Sequence, residues 1–327
     1  MNIREYGGYL TFKSNLLHQK KNYTRLPSYD FNLGRNALKF LLTNLRIGSL
    51  YLPSYTCSSI HKIAYDLNIK TVYYHIDRNL KIKFDPDLLG ENDIILLNNY
   101  FGILDLYIYE VIDRMNTIPI VDNTQAFFSN FDSSTHQIYS PRKFFGLTDG
   151  GSLKTNLNLE SEYNRIPADH SYDRMNHIFY PDEFDKNSRY TEYIEFRKSL
   201  QSLPLNRISV TTSMLLDSID FELCKEKRSL NYNLMHKEIG SYNELNISDH
   251  TKLAPLCYPL LCSKVKMFQY LVECGIYVGR YWPESKYTAY SSDERYIYEN
   301  LYCLPIEQSM EKSDILFICD KVREFVR

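Results

Sequence analysis

Ile118-Pro119-Ile120-Val121-Asp122-Asn123-Thr124-Gln125 is followed shortly by Tyr139-Ser140-Pro141-Arg142-Lys143-Phe144-Phe145-Gly146-Leu147-Thr148-Asp149-Gly150-Gly151. The first piece is a short apolar run ending in a carboxylate. Such a run reads as a buried parallel strand, and in open α/β sheets ligands lie beyond the carboxyl ends of the strands. The second piece sets one lysine between a Ser-Pro turn and a Gly-Gly pair. Between Asp122 and Lys143 there is room for one loop and one further strand, so two neighbouring strand ends can face one ligand.

Working outward, apolar runs and helical patterns alternate from about residue 33 to 155. Gly34 to Leu42 reads as an amphipathic helix opening on a glycine, Ser49 to Leu52 as a strand, and Ser58 to Leu67 as a helix. Thr71 to Ile76 and Asp93 to Asn98 read as strands, Tyr107 to Met115 as a helix, and Ile118 to Val121 as the next strand. This alternation predicts an α/β fold, a mostly parallel sheet with helices on both faces. Residues 156–200 are polar without clean periodicity and read as loops and short helices. Ser209 to Ile239 is helical with a break near Asp220. A strand (Pro255 to Leu261), a helix (Lys264 to Cys274) with Gly275 as its C′ residue, a strand (Ile276 to Tyr281) and a final helix (Lys312 to Phe325) follow, which predicts a smaller C-terminal α+β domain. The expected division is 1–200 for the large domain and 201–327 for the small one, with 209–239 connecting them.

The 327 residues suffice for a large core or two unequal domains, and 44% apolar with 24% charged residues is ordinary for a soluble globular protein. A formal net charge of −2 and a pI near 6.5 give no reason to expect nucleic acid or an anionic membrane as partner. No run approaches the roughly 18 apolar residues of a membrane span, and Met1 to Tyr6 lacks the pattern of a signal peptide. The seven cysteines include no C-x-x-C pair with metal-ligand spacing, so reduced thiols, a cytoplasmic location and no metal are expected.

A lysine and a carboxylate at adjacent strand ends suit pyridoxal 5′-phosphate (PLP). That cofactor needs an amine for its Schiff base and an anion that keeps the pyridine nitrogen protonated. Lys143 is the candidate amine. A surface lysine is the alternative, but Ser140, Phe144-Phe145-Gly146 and Gly150-Gly151 would make an unusual surface, and Arg142 and the aromatic residues could lower its pKa. Asp122 is the candidate anion, with a turn or capping role as the alternative. Gln125 could contact the ring hydroxyl, pack beside the ring, or cap a helix. Gly34, Arg35 and Asn36 at a helix start suit a phosphate dianion. Ser140 is a second phosphate candidate and equally an ordinary turn serine.

These pieces, in this order, resemble the DegT/DnrJ/StrS family of PLP-dependent sugar aminotransferases, of the aspartate aminotransferase fold type I, over nearly the whole chain. Leu33 to Leu38 resembles the family's Ser-Gly-Thr-x-Ala-Leu phosphate helix, and Leu52 to Cys57 its Pro-Ser-x-Thr-aromatic stretch. Asn98 to Gly102 lies where its His-x-Tyr-Gly strand end does. Val121 to Gln125 is similar to Glu-Asp-Ala-Ala-Gln/His, and Ser140 to Gly151 to the lysine segment ending in Gly-Gly. Gly275-Ile276, Tyr281-Trp282-Pro283 and Cys303-Leu304-Pro305 fit its small domain. The resemblance implies that Lys143 carries the cofactor and shuttles the proton, and that Asp122 pairs with the pyridine nitrogen. It implies transfer of an amino group, usually from glutamate, to a nucleotide-linked keto sugar in surface-polysaccharide synthesis, by a homodimer with shared sites. A dehydratase, an aminotransferase of small ketones and a non-catalytic binding member are the alternatives. The chain departs from the pattern in four places. Cys57 replaces the stacking aromatic residue, leaving Tyr55 or Phe101 to cover that face. Arg35-Asn36 replaces Gly-Thr, and Ser140 lies nearer the lysine than the family's serine. Asn206 to Ser209 is the nearest approach to the partner-subunit asparagine motif.

Overall fold

The computed structural model describes residues 6–7, 28–175, 178, 186–247, 254–264 and 266–326. Residues 1–5, read above for a signal peptide, and parts of 156–200 lie outside them.

The strands are β1 (Tyr6–Gly7), β2 (Tyr29–Phe31), β3 (Leu50–Pro53), β4 (Thr71–Tyr74), β5 (Ile94–Asn98), β6 (Ile120–Asn123), β7 (His136–Tyr139), β8 (Gly151–Lys154), β9 (Tyr258–Leu261), β10 (Ile276–Tyr277) and β11 (Leu301–Leu304). Seven of them form one sheet in the order β2-β8-β7-β6-β5-β3-β4. Neighbours from β4 to β7 are parallel, and β8 runs antiparallel to both β7 and β2. The carboxyl ends of β2, β3, β5, β6 and β7 therefore face the same way.

Burial follows the two-residue period of a strand. Ile94, Leu96 and Ile120 pack with α1 (Gly34–Thr43) and α2 (Ser58–Asp66), whereas Ile95, Leu97 and Val121 pack on the opposite face. Both faces are covered, which is why these strands read as unbroken apolar runs. That second core also includes α3 (Asp105–Ile112), the helix Phe221–Ile239, the pair β9–β11 and the final helix Lys312–Val326. Residues 6–7 join this C-terminal part, since β1 pairs with β10.

Several expectations change. Within 156–200 lies a 17-residue helix, Lys186–Ser202. Its apolar seam is narrow, Tyr193, Phe196 and Leu200, and it packs on Leu33 just before α1. So thin a stripe in a polar helix gives little periodic signal. The helical region 209–239 is two helices, Val210–Asp217 and Phe221–Ile239, and Asp220 caps the second by accepting from the Leu223 N–H at 2.9 Å. The strand expected over 276–281 ends at Tyr277. The strand anticipated between Asp122 and Lys143 is β7.

Candidate active site

The candidate residues Gly34, Cys57, Asp122, Gln125 and Lys143 lie at or just beyond the carboxyl ends of β2, β3, β6 and β7. Asp122, 8% exposed, is near the end of β6, and its Oδ1 accepts from the Thr124 N–H at 2.8 Å. After β7 the chain turns at Ser140-Pro141 into the single-turn helix α4 (Arg142–Phe145), which Gly146 ends in the left-handed conformation. The Lys143 N–H donates to the Ser140 carbonyl at 3.0 Å, and the Lys143 amine donates to Thr124 Oγ1 at 2.9 Å. Thr124 thus links the lysine to the turn that follows Asp122.

Burial lowers the proton affinity of the Lys143 amine. Asp122 and Cys57 oppose that shift, while Arg142 and Arg35 reinforce it. Burial likewise pushes Arg142 down to about 10, with Arg35 and Arg197 acting in the same sense and Tyr193 and Asp149 against it. The guanidinium remains protonated at neutral pH.

Asp122, Cys57 and Arg35 are thus all near enough to Lys143 to act on it electrostatically. Gly34 and Ser140 also converge. A Cβ on Gly34 would stand 3.1 Å from Thr124 Cγ2, 3.2 Å from the Tyr139 carbonyl and 3.6 Å from Ser140 Cβ. Gln125 is buried; its Oε1 accepts from the Phe101 N–H at 3.3 Å, and its Nε2 has no partner among the described residues.

Two residues are placed otherwise. The Asn36 side-chain amide donates to Asn32 Oδ1 at 2.7 Å and to the Pro204 carbonyl at 2.8 Å, and its backbone N–H is bonded to Leu33. It anchors α1 instead of offering a donor to a phosphate. Tyr55 is buried among the rings of Tyr100, Trp282 and Tyr290, with its hydroxyl on the Tyr281 carbonyl at 3.0 Å. It ties the sheet to the C-terminal part.

Sequence reasoning missed Thr124 and Arg197. Thr124 was legible as a hydroxyl between Asp122 and Gln125. Arg197 lies on a helix with almost no periodic signal, so nothing in the sequence marked it.

No protein-family model matches the sequence, and a search of curated proteins returns no relative. Solved structures do match. A DegT/DnrJ/EryC1/StrS aminotransferase from Brucella abortus is 14% identical over 91% of this chain and 85% of its own, with a TM-score of 0.63. Helicobacter pylori PseC, an aminotransferase of pseudoaminic acid biosynthesis, is 13% identical over 95% and 93%, with a TM-score of 0.61. Bacillus subtilis NtdA with bound cofactor PMP is 13% identical over 91% and 73%, with a TM-score of 0.65. The chain has the fold of the DegT/DnrJ/EryC1/StrS sugar aminotransferases.

Proposed function

We propose that the protein is a PLP-dependent aminotransferase that moves an amino group, from glutamate as donor, to a nucleotide-linked keto sugar in surface-polysaccharide synthesis in the cytoplasm. The observation that carries the reading is the half-buried Lys143 amine, with lowered proton affinity, held on Thr124 beside the strand-end carboxylate Asp122. The donor set suits PLP: an amine, a carboxylate, the hydroxyls of Thr124 and Ser140, cations, and a glycine at the start of α1 that lets its main chain come close to Thr124 and Ser140. The likeness to aminotransferases of known structure supports the same reading.

PLP, when bound, supplies an aldehyde for the amine and a ring that accepts electrons. Lys143 would hold the cofactor through its neutral amine, which burial favours, and its Nζ would serve as the proton carrier. Thr124 Oγ1 positions Nζ. Asp122, oriented by the Thr124 N–H, would supply the anion for the heterocyclic nitrogen. Cys57, near enough to act electrostatically on the lysine, would leave more room over the ring than an aromatic residue. On this reading residues 201–327 form the smaller domain, with 209–239 connecting it to the large one. A homodimer accords with the exposed Val210 and Met214, one helical turn apart.

The test is covalent capture. Protein incubated with PLP and reduced with borohydride should carry the label on Lys143, the Lys143→Ala variant should carry none, and stoichiometric glutamate should convert the bound cofactor to its amine form. Wild-type protein without a reducible adduct would refute the reading.

A further inference from the structure

Arg228, on the helix Phe221–Ile239, is 1% exposed, and among the described residues it forms no ion pair. Its Nε donates to Gln308 Oε1 at 2.6 Å, and its Nη1 donates to the Pro255 and Leu256 carbonyls, both at 3.0 Å. Burying a cation is costly, and neutral acceptors offset that cost only in part. An apolar side chain of similar volume often serves stability as well. What a guanidinium adds is a rigid plane of donors that fixes several partners against one another.

Each arm of that plane leads to a different strand end. Along the first, Gln308 takes the guanidinium on its oxygen, which aims its Nε2 at the Phe144 carbonyl, 2.7 Å away. The N–H groups of the lysine turn bond back to the Ser140 and Pro141 carbonyls, so the Phe144 carbonyl at its far end needs a partner from outside. Phe144 is fully buried, its ring 4.8 Å from the guanidinium, and Lys143 is the residue before it. Along the second arm, the Leu256 N–H donates to the Phe101 carbonyl at 2.8 Å, and the Phe101 N–H donates to Gln125 Oε1 at 3.3 Å. Gln125 stands three residues after Asp122. Phe101 holds a φ of 58°, a conformation that a bulky residue keeps only where its surroundings impose it, and both its main-chain groups are fixed by this arm.

We propose that Arg228 is a positioning residue whose guanidinium sets the lysine turn and the turn after Asp122 at a fixed separation, through Gln308 on one side and through Leu256 and Phe101 on the other. This rests on the role given to Lys143 above and deepens it, since an amine that forms a bond and carries a proton works only when held in line with its partners. Arg228, Leu256 and Gln308 all follow residue 200. The C-terminal part of the chain thus sets the geometry of a site whose lysine and carboxylate stand on the large sheet.

Amide hydrogen exchange without added cofactor, and glutamate-driven conversion of bound PLP to its amine form, test this in Arg228→Lys, Arg228→Met and Gln308→Met. Losing a hydrogen bond to a charged group should open the structure around it about tenfold to a hundredfold more often. Arg228→Met should speed exchange by that factor at Lys143 to Phe145 and equally at Phe101 and Leu256, beyond any rise in the core strands Ile94 to Leu97 and Ile120-Val121, which report general unfolding. Gln308→Met should do so at the lysine turn alone. Arg228→Lys keeps the charge but loses the fork, so it should show the two-armed pattern at smaller size. If Arg228→Met does not fold, Arg228→Lys and Gln308→Met carry the comparison. At saturating glutamate, conversion should slow about tenfold to a hundredfold in the Arg228→Met and Gln308→Met proteins, with the half-saturating concentration little changed. Exchange that rises only as far as in the core strands, or on one arm only in the Arg228 variants, overturns the inference, and so does conversion at the wild-type rate. Wild type that takes up no PLP removes the aminotransferase reading, whereas the exchange pattern still decides whether Arg228 couples the two turns.

Discussion

Gly151→Ala should damage the protein through backbone collision and reach the start of α1 by the same movement. A Cβ at residue 151 would lie 2.2 Å from the Leu33 carbonyl carbon, 2.3 Å from the Gly34 nitrogen and 2.5 Å from the Leu33 oxygen. Carbon atoms in contact rest roughly 3.5–4 Å apart, so β8 and the entrance to α1 must separate by more than about 1 Å. No flexible side chain can yield, because every clashing atom is main chain. That separation pulls on the Gly150 N–H to Asn32 carbonyl bond, now 2.6 Å, and on the pairing of Gly151 with Phe31. Overpacking of this kind costs about 1–3 kcal/mol and each buried hydrogen bond lost adds about 1 kcal/mol, so a loss of about 3–5 kcal/mol is expected. Against a total stability of roughly 5–15 kcal/mol, that is a large fraction. Urea unfolding followed by tyrosine fluorescence gives the midpoint and slope. Gly48→Ala is the control, since its Cβ would meet the Asn92 oxygen at 3.2 Å on an exposed turn, and it should change stability by less than about 1 kcal/mol. The preference for PLP over pyridoxal should fall in Gly151→Ala as α1 is displaced. A Gly151→Ala protein within about 1 kcal/mol of wild type, with that preference intact, would refute the proposed close approach.

Two further outcomes follow from the same geometry. The rate at which pyridoxal forms a reducible adduct should rise with pH and level off below the ordinary lysine value of about 10.4, because burial favours the neutral amine. The sign carries over to stability. Between its lowered folded value and its ordinary unfolded one, Lys143 binds fewer protons folded than unfolded, so stability rises with pH there and Lys143→Met should flatten the rise; a plateau only at or above the ordinary value would contradict the burial of Nζ. Arg228 is fully buried, donates to Gln308 Oε1 at 2.6 Å and to the Pro255 and Leu256 carbonyls at 3.0 Å, and stands 4.8 Å from the Phe144 ring, while Gln308 donates to the Phe144 carbonyl at 2.7 Å. Arg228→Met strands three acceptors behind the lysine turn and should cost about 3–5 kcal/mol in urea unfolding, and wild-type stability in that variant would show the clasp to be dispensable.

The parallel half of the fold was legible because its strands are buried on both faces. Ile94 to Leu97 and Ile120-Val121 serve two cores at once, so no position along them can be polar, and the runs stand out against their surroundings. β7, His136-Gln137-Ile138-Tyr139, is just as buried but carries polar side chains satisfied locally. Gln137 Nε2 donates to the Phe131 carbonyl at 2.9 Å, and Tyr139 donates to Gln137 Oε1 at 2.6 Å. Hydrophobic periodicity cannot register a strand whose burial is achieved by hydrogen bonding. β2 and β8 escaped for a different reason. They are three and four residues long and owe their place to the close passage at Gly151, a tertiary fact.

The site divides along the same line. Lys143 and Asp122 stand where the strand pattern set them, just after β7 and near the end of β6, because buried strands fix their neighbours' positions. Asn36 was misread because a helix start that suits an anion also needs an anchor, and the pull of Asn32 and the Pro204 carbonyl is invisible in the local sequence. The arginines that act on Arg142 lie further still from local reading. Arg35 and Arg197 are far apart in the chain, and the seam of Phe196 and Leu200 on Leu33 docks the helix that carries the second just before α1, which carries the first. Arg197, on this mostly polar helix, acts electrostatically on Arg142, so the charge beside the lysine turn depends in part on how residues 186–202 dock. Phe196→Ala should therefore weaken PLP relative to pyridoxal by loosening that docking. Truncating a buried aromatic residue costs about 3–5 kcal/mol where the surroundings are rigid, and a helix held by two or three such side chains would be partly released. An unchanged preference in Phe196→Ala would mean that the docking of this helix has no part in it.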